Sequence, residues 1–388
     1  MKEESIDTTD EGRCSVALGL LRDGQEEMAL DYRDRMRRDG VDIPRWVSEI
    51  FIYVLVMRGH VDEALTVFHE ILDEARSTST SLPPALWYYL LDECSRSMHY
   101  DATRFIWDEM VEQQQINPPD GMVLNVLNTA ARHGDPALAT AAIELLSGRQ
   151  LKLGLHHYEP LLESYVQVGD VENAFRVLCI MGDVGFQLGP SSTRSVFLML
   201  KRSPELADEA VRVLGVLAKD HAVPVAAINV LLEALAHTPE PMPRALDVYH
   251  AVRNHCKSGP NEQTFEVLLE GCSTSAHAVA LISQMDLFSI PPTPAILDGL
   301  IRCFVHDGSL DVAMLYLEQM SRFPPSSPWA SERTLSMMLQ RCYQDGDHRA
   351  FKVLGEARRR GVEIRESVVG KLRGMRVREV SGGKVTEG

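Results

Sequence analysis

The sequence lacks the motifs of the common enzyme classes. It contains no GxGxxG, no GxxxxGKS or GxxxxGKT, no HExxH and no nucleophile elbow. Those motifs cradle phosphates, ligate zinc or expose a nucleophilic serine. We therefore expect a protein that is not an enzyme and that uses no small-molecule cofactor.

Cysteine spacing gives equally little sign of a zinc or redox site. The seven cysteines include no CxxC pair, which is the spacing of many such sites. Four of them lie near the end of a predicted helix: Cys94, Cys272, Cys303 and Cys342. A buried free cysteine behaves as a small hydrophobic residue, so we expect these side chains to be packed in the core. Reduced thiols fit a cytosolic or organellar interior better than secretion.

Two groups of histidines could be taken for fragments of a metal site. They are His156 with His157, and His250 with His255 and Cys256. A zinc site needs three or four converging nitrogen or sulfur ligands. His250 and His255 lie on different faces of a predicted helix, and the sequence offers no fourth ligand. We expect no metal.

Long apolar runs are missing too, because every run falls short of the roughly 18 residues that a membrane-spanning helix needs. We expect no membrane span. The opening, MKEESIDTTDEG, has neither the apolar core of a secretory signal nor the arginine-rich character of a mitochondrial transit peptide. The first predicted helix can only be the short run from Cys14 to Leu21. We therefore expect residues 1–9 to be an acidic stub of a chain that begins inside a longer protein.

The sequence does contain a repeated helical hairpin, and residues 155–189 are its clearest copy. Four apolar residues recur there at helical spacing: Tyr158, Leu161, Leu162 and Tyr165. A second apolar stripe follows: Val171, Ala174, Phe175, Val177, Leu178 and Met181. Between the stripes, Gly169 suits the left-handed backbone after a helix end, and Asp170 suits the cap of the next helix. The pattern predicts a helix, a tight turn and a second helix.

This hairpin recurs along the chain. Gly24 precedes Gly59 by 35 residues and Gly134 precedes Gly169 by 35, whereas Gly308 follows Gly169 by 139, close to four units. A small residue recurs five places after the glycine: Ala29, Ala64, Ala139, Ala174 and Ala313. A larger apolar residue recurs seven places further on: Met36, Ile71, Leu146, Met181 and Met320. A fixed period of this length indicates a repeat solenoid.

This period, with its small residue and methionine-rich position, resembles the pentatricopeptide repeat family. The best copies are RGHVDEALTVFHEIL from Arg58, VGDVENAFRVLCIM from Val168 and DGSLDVAMLYLEQM from Asp307. The tetratricopeptide class has a period of about 34 residues and a different aromatic pattern, and it fits less well. The resemblance predicts an all-α fold, a right-handed superhelical solenoid of about ten 35-residue helix-turn-helix repeats.

The ten predicted units begin at Asp10, Arg45, Pro84, Asp120, Leu155, Pro190, Val225, Glu262, Pro294 and Glu332. We expect the repeat array to span residues 10–365. A closing helix at 366–376 and a flexible tail at 377–388 would complete the chain.

The resemblance implies that single-stranded RNA binds along the concave face. In the family, the residue just after the aromatic position of each first helix pairs with the last residue of the unit to read one base edge. Only Asn229 with Asn261 fits the usual pairs, and that combination favours a pyrimidine. In seven other units the reading residues are Glu49, Tyr88, Leu124, Glu159, Glu266, Asp298 and Ser336. The four carboxylates among them would repel phosphate unless a basic neighbour intervenes.

The formal net charge is -16, whereas affinity for nucleic acid comes chiefly from Lys and Arg. The basic residues gather at one end, since residues 349–388 hold 11 basic and 5 acidic side chains. Candidate RNA-binding residues there are Arg358, Arg359, Arg360, Arg365, Lys371 and Arg373, together with Arg376 and Arg378. Basic residues at a helix end also simply favour the macrodipole and solubility. We therefore expect at most modest RNA affinity.

The leading interpretation is a non-catalytic RNA-binding repeat protein that acts in mitochondrial RNA stability, processing or translation; the mitochondrial location comes from the family resemblance. The alternative is a protein-binding scaffold or assembly factor for a respiratory or ribosomal complex, because a helical groove can also hold a peptide or a partner helix. An RNA-processing enzyme subunit would need a catalytic domain that this sequence does not show.

Overall fold

The computed structural model describes residues 9–236, 241–253, 256, 259–324 and 327–372 of the chain. Within these ranges the regular structure is entirely helical, and no strand occurs. The predicted all-α fold class is therefore confirmed. In the described part of the chain, no helix is both long enough and apolar enough to cross a membrane.

The helices alternate along the chain, and each repeat unit, or hairpin, consists of a first and a second helix. The first helices are α1 (Asp10–Arg22), α3 (Arg45–Met57), α5 (Pro84–Arg96), α7 (Asp120–His133), α9 (Leu155–Val168), α11 (Pro190–Leu200), α13 (Val225–Ala236), α15 (Glu262–Glu270), α17 (Pro294–His306) and α19 (Glu332–Asp345). The second helices are α2 (Glu26–Arg38), α4 (Val61–Ser77), α6 (Tyr100–Ile106), α8 (Pro136–Gly148), α10 (Val171–Val184), α12 (Pro204–Leu217), α14 (Pro241–Arg253), α16 (Ser275–Leu287), α18 (Leu310–Met320) and α20 (Arg349–Arg359).

All ten first helices begin at the residues where the sequence places the units. The first helix is longer than the predicted run from Cys14 to Leu21, because α1 already begins at Asp10 and continues to Arg22. Proline occupies the first position of α5, α11 and α17. A proline there removes an amide that has no partner inside the helix, and its fixed φ suits the first turn. The proline residues between units therefore define helix starts.

The turn glycines adopt the left-handed backbone that the repeat requires. Gly24, Gly59, Gly134, Gly169 and Gly308 have φ values between 66° and 86°. In the third unit Met98 takes the corresponding place, with φ 60°. The second helix of that unit departs from the pattern, because α6 continues into a π-helical segment, Trp107–Val111, that the sequence did not predict.

The small residues of the repeat lie on the second helices and have no exposed surface. Ala29, Ala64, Ala139, Ala174 and Ala313 are fully buried. All seven cysteines are buried as well, as the sequence predicts for small core side chains. The repeat pattern therefore locates buried positions of the second helices.

The chain divides into two compact units, Met1–Val168 and Gly169–Gly388. In the first, α7 packs against both α8 and α9. In the second, first helices pack against the first helices of the following hairpins, so that α11 contacts α13, α13 contacts α15, and α15 contacts α17. Within each unit, neighbouring hairpins thus pack on one another, as expected of a repeat array.

The right-handed superhelix and the limits of the array stay predictions. Residues 366–372, where the closing helix was placed, are helical. The remainder of that segment, the flexible tail and most of the acidic stub lie outside the described residues.

Replacing Ala139 with leucine should destabilise the hairpin of α7 and α8 by about 1–3 kcal/mol, the usual effect of overpacking a tight contact. Ala137 lies on the same helix and is exposed, so Ala137→Leu is the matched control and should change stability little. Urea unfolding measures both free energies. Hydrogen exchange should rise mainly in the hairpins beside α8, and a uniform rise along the chain would contradict nearest-neighbour stabilisation.

Candidate nucleic-acid interface

The first helices share one geometric register. We call the fifth residue of each first helix its reading residue, and the residue immediately before the next first helix the closing residue. In this register the reading residues of α13, α15 and α17 are Asn229, Glu266 and Asp298. Their closing residues, Asn261, Thr293 and Ser331, are also the N-caps of the next first helices.

The structure brings the predicted pair Asn229 and Asn261 together. The Asn229 Nδ2 donates to Asn261 Oδ1 at 3.0 Å and to Gln263 Oε1 at 3.2 Å. The Asn229 Oδ1 accepts from the Thr264 hydroxyl at 2.8 Å. Asn229 is fully buried, whereas Asn261 is exposed. The donors and acceptor of the Asn229 amide are therefore used internally, and Asn261 is the accessible member of the pair.

Asn261 also holds the start of α15. Its Oδ1 accepts from the Thr264 amide at 3.1 Å, and its own backbone amide donates to the Thr264 hydroxyl at 3.0 Å. This reciprocal arrangement is a capping box. The position of the reading amide in one unit is thus coupled to the start of the next helix.

The following two units repeat the arrangement with acidic reading residues. Thr293 Oγ1 donates to Glu266 Oε1 at 3.0 Å and accepts from the Ile296 amide at 3.2 Å. Ser331 Oγ lies 3.0 Å from Asp298 Oδ2, and the Ser331 amide donates to Asp298 Oδ1 at 2.8 Å. A hydroxyl has one proton to donate and two lone pairs, so the closing residue can cap a helix and bind a carboxylate together.

The positions of Glu266 and Asp298 explain why acidic side chains are tolerated as reading residues. Glu266 and Asp298 lie beside the N-termini of α17 and α19, where the helix dipole favours negative charge. A basic neighbour is also present in two units: Arg302 Nε lies 4.0 Å from Asp298, and Arg45 Nε lies 4.0 Å from Glu49. These neighbours offset part of the charge of Glu49, Glu266 and Asp298, which reduces the expected repulsion of phosphate.

The remaining reading residues fall into two groups. Tyr88 and Ser336 are engaged, because the Tyr88 hydroxyl pairs with the backbone of Asn117 and Ser336 donates to Glu332. Leu124 is half-buried, and Glu159 is exposed. Glu159 is thus the most accessible of the acidic reading residues.

The sixth unit supplies a reading residue that the sequence analysis missed. It is Arg194 on α11, and it is exposed. Its guanidinium lies 5.3 Å from the centre of the Phe197 ring, and the Lys201 ammonium lies 5.7 Å from the same ring. Counting five residues from Pro190 would have identified Arg194, since the register alone specifies it.

We call the surface that the reading and closing residues form within a compact unit its first-helix face. A cleft opens on this face in each of the two units. One, of about 570 Å³, has Asn128, Arg132, His156 and Glu159 in its lining. The other, of about 500 Å³, is lined by residues that include Asn261 and Glu266. Each cleft contains a reading residue and polar groups that could meet a base edge.

The histidines singled out in the sequence show no ligand set. His157 Nδ1 accepts from the Gly154 amide at 3.0 Å. Burial, and secondarily the neighbouring His156, lowers the pKa of His157. In the ranges that the structure describes, no three His, Cys, Asp or Glu side chains are grouped to hold a metal ion; His255 lies outside those ranges.

The predicted basic surface contains one residue that is largely packed. Arg360 Nε donates to Glu356 at 2.9 Å, its guanidinium lies 5.1 Å from the Trp329 ring, and its side chain is 24% exposed. Its hydrogen bond lowers the pKa of Glu356. Arg359 also pairs with Glu356 at 2.5 Å but stays 74% exposed. Arg360 therefore supports the fold around Trp329.

The other basic candidates differ in accessibility. Arg365 pairs with Glu332 at 3.2 Å while remaining mostly exposed, and Arg358 and Lys371 are exposed. Arg373, like Arg376 and Arg378, lies outside the described residues. Of the predicted RNA-binding residues at this end, those that are accessible in the described ranges are thus Arg358, Arg359, Arg365 and Lys371.

Thr293→Ala should destabilise the chain by about 1 kcal/mol, because it removes the cap of α17 together with the bond to Glu266. Thr293→Ser keeps the hydroxyl and should retain most of the stability. A double-mutant cycle with Glu266→Ala, measured by urea unfolding, isolates the coupling between the two side chains. Additive effects of the two substitutions would show that the pair is not coupled.

Comparison with known proteins agrees with this repeat geometry. The profile described as "pentatricopeptide repeat-containing protein" matches residues 120–252, and the profile "PPR repeat" matches residues 15–41. No curated protein matches the sequence.

Among solved structures, the chain is similar to the pentatricopeptide repeat protein PPR10 from maize, with 15% identity over 96% of this chain and 57% of that one, at a TM-score of 0.43. It is also similar to PPR10 in complex with an 18-nucleotide psaJ RNA element, with 18% identity over 94% of this chain and 56% of that one, at a TM-score of 0.33. The chain spans a little over half of the length of these structures. The two profile matches therefore show that the chain contains pentatricopeptide repeats, at residues 15–41 and 120–252.

Proposed function

We propose that the chain binds single-stranded RNA along the first-helix face and acts, without catalysis, in mitochondrial RNA stability, processing or translation. The observation that carries this proposal is the contact of reading and closing residues in three consecutive units, α13 to α19. Family resemblance implies that such a pair reads one base. The pairs recur at the repeat period, as a base-by-base readout requires.

The exposed cations are the expected phosphate contacts. Arg194 is at a reading position, and Lys201 and Arg202 are exposed at the end of the same first helix. Arg358 and Arg359 extend the positive surface at the basic end. Since counterion release by Lys and Arg supplies most sequence-independent affinity, RNA binding should be modest and should weaken steeply with salt.

Base preference should come from few units. Asn261 is exposed next to the buried Asn229, so a pyrimidine preference would arise from a base edge that meets the Asn261 side chain. Glu266 and Asp298 accept hydrogen bonds from Thr293 and Ser331 and retain further acceptor capacity. They would therefore favour base edges that present amino or imino donors.

The mitochondrial location belongs to the proposal and rests on the family resemblance. Imaging of the full-length protein in intact cells, against a matrix marker, tests it. A signal confined to the cytosol or nucleus would remove this part of the proposal without affecting RNA binding.

A protein-binding scaffold is the second candidate, and one observation favours it. A groove of about 710 Å³ lies between α18 and α20, and its lining includes Met314, Leu315, Trp329 and Val353. Leu315 is 65% exposed. The groove also has charged side chains in its lining, among them Glu318 and Arg349. It lies mainly on second helices, so it belongs to a different face from the reading residues. A scaffold would use it for a helix or peptide of a partner.

Arg194→Ala should weaken binding of single-stranded RNA and reduce the salt slope by about 0.7 for each phosphate that the protein no longer neutralises. Arg212 is an exposed arginine on α12, the second helix of the same hairpin. Arg212→Ala is therefore the matched control and should leave the slope unchanged. Filter binding at several salt concentrations gives both values, and equal decreases in the two variants would contradict the first-helix face as the interface.

Replacing Arg358 and Arg359 with alanine should remove most RNA retention by the basic end while leaving the fold intact. Adding Arg360→Ala should also lower thermal stability, because it removes both the packing against Trp329 and the hydrogen bond to Glu356. Binding and circular dichroism melting of the double and triple variants separate the two effects. If the wild type retains no RNA even at low salt, the leading function fails and the scaffold takes its place.

A further inference from the structure

Two thiols meet at the interface between the eighth and ninth hairpins. The Sγ atoms of Cys272 and Cys303 lie 3.1 Å apart. Cys303 is on α17, and Cys272 lies in the short linker between α15 and α16. Cys303 is fully buried, whereas Cys272 is 9% exposed. One sulfur of the pair is thus nearer to solvent than the other.

The close approach of α15 and α17 explains why the sulfurs meet. A Cβ atom on Gly299 would lie only 2.8 Å from the Leu269 Cβ. Gly299 precedes Cys303 by one helical turn, and Leu269 precedes Cys272 by three residues. Because Gly299 has no side chain, the two helices pack tightly just before the thiols.

The linker that carries Cys272 is held against the end of α17 by three neighbouring residues. His306 Nδ1 lies 3.1 Å from the Ser273 carbonyl oxygen, and the Cys303 Sγ lies 3.2 Å from the Thr274 carbonyl oxygen. Hydrogen bonds from Ser275 lower the pKa of Asp307, so that carboxylate is bound to the start of α16. These contacts hold the Cys272 side chain next to Cys303.

We propose that Cys272 and Cys303 are a reversible disulfide site whose co-reactant is a low-molecular-weight disulfide such as oxidised glutathione. In the first step the Cys272 thiolate attacks the small disulfide, forming a mixed disulfide and releasing one small thiolate. In the second step the Cys303 sulfur attacks Cys272, releases the second small thiolate and gives up its proton to a departing thiolate. Two protein thiols and one disulfide thus yield one protein disulfide and two small thiols.

The environment of each sulfur suits its step. The hydrogen bond from Cys303 lowers the pKa of Cys272, and the same contact, with burial, raises the pKa of Cys303. Cys272 is therefore both the more exposed and the more acidic thiol, as an attacking sulfur should be. A disulfide needs a sulfur separation of about 2.05 Å, so the pair must close by about 1 Å. Cys272 is outside the helices, where the backbone can adjust.

The disulfide would link two neighbouring hairpins covalently. These hairpins carry the Glu266–Thr293 and Asp298–Ser331 pairs, so the bond would fix the spacing of their first helices. A cross-link also restricts the unfolded chain. We therefore expect oxidation to raise the melting temperature and to lower hydrogen exchange in α15 and α17.

The test incubates the full reduced chain with mixtures of oxidised and reduced glutathione, quenches with acid, alkylates the free thiols and maps the peptides by mass spectrometry. The expected product is a peptide pair linked through Cys272 and Cys303. Cys94 and Cys342 are buried near the ends of other first helices and should stay reduced. A glutathione adduct that persists on Cys272 without the internal bond would overturn the proposal, as would no reaction at any ratio or equal oxidation of Cys94 and Cys342.

Three variants separate the disulfide from general oxidation. Cys272→Ser should abolish the rise in melting temperature on oxidation, whereas Cys342→Ser should preserve it. Gly299→Ala should slow closure at least several-fold, because its methyl group pushes α17 away from α15. Circular dichroism checks that each variant is folded, and the serine variants decide the result if Gly299→Ala is not. A rise in melting temperature that survives Cys272→Ser would refute the site.

Discussion

The unsatisfied amides at the start of each first helix are the constraint on which the repeat interface depends. An α-helix leaves its first N–H groups without intrahelical partners. At α15, α17 and α19 the cap is supplied by Asn261, Thr293 and Ser331. Each cap also bonds to the reading residue of the preceding first helix. The start of one helix and the orientation of its neighbour's side chain are therefore set by the same few atoms.

This shared cap explains the chemistry of the first-helix face. A reading residue either accepts a hydrogen bond from a hydroxyl cap, as Glu266 and Asp298 do, or donates one to a carboxamide cap, as Asn229 does. Carboxylates and carboxamides therefore both suit the position. Near a helix N-terminus a carboxylate is also favoured by the dipole. The acidic face is thus consistent with the packing of neighbouring units, and the net charge alone says little about whether RNA binds there.

Local signals made most of the fold predictable from the sequence. A glycine with positive φ, an alanine at a tight helix contact and a proline before or at a helix start each impose one backbone or packing requirement. Gly169, Ala139 and Pro190 show these three requirements in turn. These requirements repeat about every 35 residues. A unit whose own signals are weak can therefore be located from the regular spacing of its neighbours. The π-helical segment at Trp107 has no such repeated signal, which is why it was missed.

The site was less predictable, because accessibility depends on neighbours distant in sequence. The pairing of Asn229 with Asn261 followed from the register, but the burial of Asn229 depends on Gln263 and Thr264 of the next helix. Arg360 looked like Arg358 and Arg359 in sequence, and its contact with Trp329 distinguishes it only in three dimensions.

Cys272 and Cys303 also show that the sequence alone does not reveal which side chains meet in the folded chain. Spacing placed Cys272 and Cys303 near the ends of two successive first helices, and burial made them look like ordinary core residues. Cys94 and Cys342 share that place near the end of a first helix, but they belong to the third and tenth units rather than to successive ones. The difference arises at Gly299, where the missing side chain lets α17 approach α15 until the sulfurs touch. In a repeat array, an interface becomes chemically distinct when a single small residue changes the distance between two otherwise equivalent helices.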